Sequence, residues 1–186
     1  ANIPNMVYLA PSNAEEYIAM LDWALDQDKH PVYIAIPSGP VVHAEGSVRT
    51  NFDNLNTYEV TRKGSKVAVL ALGDFYDLGE KTIEALSSTL GIEATLVKPY
   101  FASGVDQNLL DNLVKDHDVI VTIEDGIIEG GWGQNIASYL GTSPARVLNY
   151  GVKKAFYDRV NIADLMRESH LEPELIAADV KQVLGL

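Results

Sequence analysis

Apolar residues along this chain gather into short, nearly unbroken runs, separated by stretches in which they recur at helical spacing. Val32, Tyr33, Ile34, Ala35 and Ile36 form one run, and Val119, Ile120, Val121, Thr122 and Ile123 form another. Runs of that length are the pattern of parallel strands covered on both faces. Strands are predicted over residues 6–10, 32–36, 58–61, 66–72, 93–97, 119–123 and 146–150. Helices are predicted from 12 to about 27, and over 78–90, 107–115 and 134–140, with further helices at the carboxyl terminus. Ser12 followed three positions later by Glu15 has the spacing of a capping box. Tyr17, Ile18, Leu21, Ala24 and Leu25 then predict the buried face of the first helix. Glu172-Pro173 predicts the start of the last helix, whose apolar stripe is Ile176, Val180, Val183 and Leu184.

Strands alternating with helices imply an α/β fold: a three-layer α/β/α open sheet, mostly parallel. Residues 1–40 give strand, helix, strand, and one such unit is too small to cover both faces of its own sheet. It reads as the end of a larger domain. Residues 41–56 carry Gly, Asn and Asp with little periodicity and read as a linker; residues 57–186 read as a complete second domain.

Composition narrows the functional classes. At 186 residues and 47% hydrophobic, the chain is long enough for one full core. Its 26 acidic and 14 basic side chains give a formal charge of -12, which disfavours nucleic acid and anionic membrane surfaces. There is no cysteine, so disulfides, thiolate metal sites and cysteine nucleophiles are excluded. No membrane-length apolar run or targeting segment is visible, and a cytoplasmic protein is expected.

The chemically suggestive stretch is Glu124 to Gln134, where a buried strand ends in Glu124-Asp125 and turns through Gly126, Gly130, Gly131 and Gly133 into a helix. Two readings stand: a small anion held at the helix N-terminus, or a tight turn whose carboxylates fix the loop. The spacing matches neither GxGxxG nor a phosphate loop with its lysine. Trp132 is either a packing anchor or a stacking platform. Asp74 is either the N-cap of the helix after the second domain's first long strand or a polar site group. Glu15-Glu16 reads as a solvated pair. His30, His43, His117 and His170 have no metal-ligand spacing, and no GxSxG elbow occurs.

Longer segments carry a resemblance. VYLAPSNAEEYIAMLDWALDQDKHPVYIAIPSG, KVAVLALGDFYDLGEKTIEAL, VIVTIEDGIIEGGWG and VLNYG, in that order, resemble the end of the pyrimidine-binding domain and the whole carboxyl-terminal domain of the transketolase superfamily. The 1-deoxy-D-xylulose-5-phosphate synthase branch corresponds best. The most specific elements are Ala10 to Glu16 and the pattern from Thr122 to Gly133. The resemblance implies a homodimeric parent enzyme of isoprenoid biosynthesis that uses thiamine diphosphate and Mg2+ to join a two-carbon unit from pyruvate to glyceraldehyde 3-phosphate. It also implies that this chain is a fragment without catalytic, cofactor or metal residues of its own, because the diphosphate-binding and ring-activating motifs are missing; its role would be structural and dimer-forming. Two family arginine positions hold Ala35 and Ser38, the latter the family's phosphate position. Neither residue can grip phosphate as arginine does, which leaves Arg49 or a residue outside the chain as the substitute, or a different acceptor. Alternatives are the carboxyl-terminal part of a transketolase or of a 2-oxo acid dehydrogenase β-type subunit, the natural subunit of a split enzyme, or a small-anion-binding module.

Overall fold

A computed structural model of the chain describes residues 3–36 and 39–186. Strands β1 (Val7–Leu9) and β2 (Val32–Ile34) pair in parallel across helix α1 (Ala14–Asp26). The larger sheet contains β3 (Glu59–Arg62), β4 (Lys66–Ala71), β5 (Thr95–Lys98), β6 (His117–Ile127) and β7 (Arg146–Val152), in the order β3-β5-β4-β6-β7. Within this sheet β3 pairs antiparallel with β5, and the β4–β5, β4–β6 and β6–β7 pairings are parallel. Helices α2 (Tyr76–Leu90), α3 (Gln107–Asp116), α4 (Trp132–Tyr139), α5 (Ile162–Glu168) and α6 (Pro173–Leu184) complete the chain. The α/β architecture, mostly parallel and flanked by helices, agrees with the expected fold class.

Alternation along the strands explains the layers, because successive side chains point to opposite faces. Val67, Val69 and Ala71 share one buried cluster with Ile83 and Leu86 of α2 and with Ile176 and Val180 of α6. Ala68, Leu70 and Ile120 face the other way, toward Leu110 of α3 and Trp132 and Ile136 of α4. The sheet is therefore apolar on both faces, as its continuous runs require.

Helix α1 corrects two expectations. Its N-cap is Asn13, not Ser12: the Asn13 side chain accepts the Glu16 N–H at 2.9 Å, while Ser12 donates its N–H and hydroxyl to Glu16 Oε2. Its buried face is Glu16, Ala19 and Met20, whereas Ile18 and Leu25 of the expected stripe are exposed. An aliphatic-rich helix offers more than one apolar stripe, and the one turned inward here is set by the partners available.

Residues 39–57 form no helix or strand, yet they are anchored. Phe52 is fully buried with Leu9, Met20 and Phe101. The Arg49 guanidinium donates to the carbonyls of Asn51, Asn54 and Thr57 and to Thr57 Oγ1, and it lies over the rings of Phe52, Tyr100 and Phe101. The amino-terminal unit also bonds to the chain beyond β5: Ala10 N–H donates to Tyr100 O and Ala102 N–H to Tyr8 O.

Candidate functional site

Two places could carry function. The first is the end of the parallel strands where the order reverses, between β4 and β6. After β4 the chain makes one turn of 3-10 helix, Gly73–Phe75, into α2; after β6 it turns through the glycine loop into α4. In that loop Glu124 is buried, and its carboxylate faces the start of α4: Oε2 accepts the Trp132 N–H at 2.8 Å and Oε1 the Gly133 N–H at 2.8 Å. Burial raises the Glu124 pKa, and these two bonds oppose the shift. The glycines are required by close approach. A Cβ at Gly131 would lie 2.5 Å from Ile127 O and 2.7 Å from Glu124 Oε1, and one at Gly133 would lie 2.4 Å from Thr122 Oγ1.

The anion at this helix N-terminus is thus the chain's own carboxylate. Of the two readings of the corner, the geometry matches the loop-fixing one. Trp132 packs rather than presents a platform: it is buried, tilted against Tyr58, and donates its indole N–H to Tyr58 Oη at 2.9 Å. Tyr58 in turn donates to Gly104 O. Asp74 is not a helix cap, since it lies within the turn and the cap position Phe75 carries no side-chain bond. Partial desolvation raises the Asp74 pKa, with the nearby Asp125 adding to the shift. Tyr8 of β1 lies over the same crevice; burial raises its pKa, with smaller contributions from Tyr33 and from Asp125, Glu124 and Asp74.

The second place is a cleft of about 1360 Å³ between α1, the 39–49 segment, β3 and the start of α2. Glu16 and Lys98 meet at its floor. Lys98 Nζ is 2.6 Å from Glu16 Oε1, with side-chain exposures of 13% and 2%, and it lies 4.1 Å from the centre of the Tyr76 ring. Glu59 accepts the Tyr100 hydroxyl, and burial raises the Glu80 pKa, opposed by Lys98. Sequence reasoning missed this pair, and reading Glu15-Glu16 as solvated is wrong for Glu16. Glu15 does something different, accepting from His43 Nδ1 at 2.8 Å and from the Ala44 N–H at 2.7 Å, bonds that lower its pKa to about 2.

The remaining expected site residues are dispersed or engaged. Ser38 lies outside the described residues. Ala35 is half-buried and packs against the α3/α4 side of the core. Arg49, the possible replacement for the family arginines, has its guanidinium committed to main-chain carbonyls and cannot serve as a free phosphate grip. His117 is buried between Thr95 Oγ1 and Leu113 O, while His30 bonds Asn5 and His170 bonds Asp179. Among the described residues, no three His, Asp or Glu side chains converge as a metal cluster would, and no helix is long and apolar enough to cross a membrane.

Comparisons with known proteins fit this geometry. Residues 56–176 match the family described as "Transketolase, C-terminal domain". The chain is similar to the 1-deoxy-D-xylulose-5-phosphate synthase of Pseudoalteromonas translucida, 36% identical over 98% of this chain and 29% of that protein. It is 27% identical to the synthase of the same name from Clostridium tetani, over 99% of this chain and 29% of that one. The chain thus spans under a third of the length of these curated relatives. Among solved structures, a split-gene transketolase in an inactive β4 tetramer superimposes with a TM-score of 0.77 at 24% identity, covering 100% of this chain and 59% of that chain. A transketolase from Pichia stipitis gives 0.72 at 16% identity, over 97% and 25%.

Proposed function

The chain belongs to the transketolase C-terminal domain family, and from that premise we propose that it is the carboxyl-terminal part of a thiamine-diphosphate-dependent 1-deoxy-D-xylulose-5-phosphate synthase-like transferase. The observation that carries this is continuity: similarity to the synthases runs through 98% of the chain, beyond the 56–176 segment and into the amino-terminal β1-α1-β2 unit. In the parent enzyme the bound cofactor would supply the carbanion chemistry. The residues of this chain do not fit the cofactor's diphosphate. The α4 N-terminus is filled by Glu124, and the two cations lining the cleft, Arg49 and Lys98, are already engaged. We assign the chain a structural role beside the catalytic part, in a soluble cytoplasmic homodimer whose cofactor and Mg2+ are held by the amino-terminal domains. The phosphate of a phosphorylated acceptor is gripped by residues of those domains, because Arg49 is unavailable here.

Calorimetry on the isolated chain tests this reading. Titration with thiamine diphosphate and Mg2+ at millimolar concentration should give no binding heat, and a micromolar site would overturn the assignment. The native polypeptide should have about three times the 20.3 kDa of this chain, as three joined domains require.

A further inference from the structure

Among the described residues, the exposed large apolar side chains gather in two regions, apart from Leu186 at the end of the chain. One is the amino-terminal unit and the segment after it, with Ile18, Leu25, Tyr33 and Ile36 among them. On the reading proposed above, that face lies against the amino-terminal domains. The other region is Ile127 with Phe156, Tyr157, Val160 and Ile162. Its parts are tied together by the main chain: Ile127 pairs in register with Val152, the Ile128 N–H donates to Val152 O, and the Lys154 N–H donates to Glu129 Oε2 at 2.8 Å. The end of β6 and the loop that leaves β7 thus form one surface.

That surface is short of contacts of its own. Phe156 is fully exposed at 108%, and Ile162, the first residue of α5, is exposed at 67%. From Lys153 to Glu168 no residue is buried; Met166 packs from α5 onto the α2/α6 side of the core. A helix of seven residues is too short to hold in water by itself, so α5 depends on contacts that this chain supplies sparingly. A fully exposed phenylalanine alone offers about 150–250 Å² to bury. With four further large apolar side chains around it, the region reaches the size that marks a protein contact.

Charge indicates the partner. Two copies carrying -12 each repel as wholes, so a contact between them is favoured where charge is locally balanced. Here Lys153, Lys154 and Arg159 are offset by Glu129 and Asp158, three against two. A two-fold axis through the region sets apolar against apolar and lets the cations of each copy face the carboxylates of the other.

We propose that the surface formed by Ile127 and by Phe156 to Ile162 is the two-fold face on which two copies of this chain meet, with Phe156 near the axis. This rests on the homodimer reading above and names the surface that reading leaves open. An isologous contact closes on itself, so association stops at the dimer.

Sedimentation velocity on the purified chain, from micromolar to millimolar concentration, tests it. The mass should rise to twice 20.3 kDa and no further. Because the contact is apolar and its charge balanced, the dissociation constant should change less than about threefold between about 50 and about 500 mM salt. Phe156→Asp with Ile162→Asp should weaken it at least about tenfold. Ile18→Asp with Leu25→Asp, on the outer face of α1, should leave it unchanged. All four positions are exposed, so circular dichroism should show the wild-type fold for both variants. The chain has no cysteine, so Ala155→Cys introduces a single thiol beside Phe156. Under a mild oxidant it should cross-link the dimer through its own counterpart, and adding Ile162→Asp should suppress the cross-link. A monomer at every concentration overturns the homodimer and this surface together. A dimer that survives Phe156→Asp with Ile162→Asp, that Ala155→Cys does not cross-link, or that is lost with Ile18→Asp and Leu25→Asp overturns the surface alone, as does growth beyond the dimer.

Discussion

Glu124 shows how one side chain determines whether a glycine-rich corner is open to a ligand or closed. A helix N-terminus presents unpaired N–H groups and a partial positive charge, which any anion can satisfy. Here the anion is covalently part of the strand that precedes the helix. Replacing Glu124 by alanine leaves the Trp132 and Gly133 N–H groups buried without acceptors, at a cost of about 2–4 kcal/mol. Glutamine retains one carbonyl acceptor and should cost about half as much. Chemical denaturation of the two variants checks the order. Burial raises the Glu124 pKa in the folded protein, so its contribution to stability is greatest below the ordinary carboxylate pKa. That contribution is lost as pH rises through the raised value, and Glu124→Gln should lack this slope. Gly131→Ala should destabilise by about 1–3 kcal/mol, since its Cβ meets a main-chain carbonyl that cannot move aside.

Among the elements, the 39–49 segment depends on α1 through few contacts. Val42 O accepts the Ala14 N–H, and Glu15 holds His43 and Ala44. The bonds that lower the Glu15 pKa to about 2 stabilise the attached state above the ordinary value of 4.5. That stabilisation is lost as pH falls toward 2. The protection of the Ala44 amide, its slowing of exchange relative to an unstructured amide at the same pH, should therefore fall between pH 4.5 and 2, and Glu15→Gln should show lower protection already at neutral pH; unchanged protection in the variant would remove Glu15 from this role. The strands were legible in the sequence because both faces of the large sheet are covered, which leaves unbroken apolar runs such as Val67 to Leu72. The α4 corner was legible as a turn for a related reason, since its glycines sit where side chains would collide. The packing of α1 was not legible. Apolarity ranks Ile18 and Leu25 above Glu16, yet Glu16 goes inside because Lys98, 82 residues away, receives it. The order of the linker-like segment is hidden likewise, since it comes from Arg49 and Phe52 meeting Tyr100 and Phe101.

For the molecule as a whole, the question is whether the amino-terminal unit folds with the larger sheet or only rests on it. The pairing of β1 and β2 is too small to be stable alone, and their apolar Tyr33 and neighbouring Ile36 remain exposed. Three kinds of contact tie the unit to the rest. Phe52, Phe101, Leu9 and Met20 form one fully buried cluster; main-chain bonds join Ala10 to Tyr100 and Ala102 to Tyr8; and Glu16 is paired with Lys98. The ion pair is the sharpest test, because removing one partner strands a charge that is already out of water. Glu16→Ala should cost about 3–5 kcal/mol, whereas replacing Glu16 and Lys98 together by leucine and methionine should recover most of that loss. If the unit and the sheet form one cooperative body, the wild-type chain unfolds in a single transition. The Ala10 amide, whose acceptor is Tyr100, should then exchange with the same opening free energy as the amides of β4 and β6. In Glu16→Ala the Ala10 amide should open first, at lower free energy than the central strands. Exchange at Ala10 that is already easier in the wild type would mean that the unit is held in place by too little to fold with the sheet, and that the expected boundary near residue 40 separates two independent bodies.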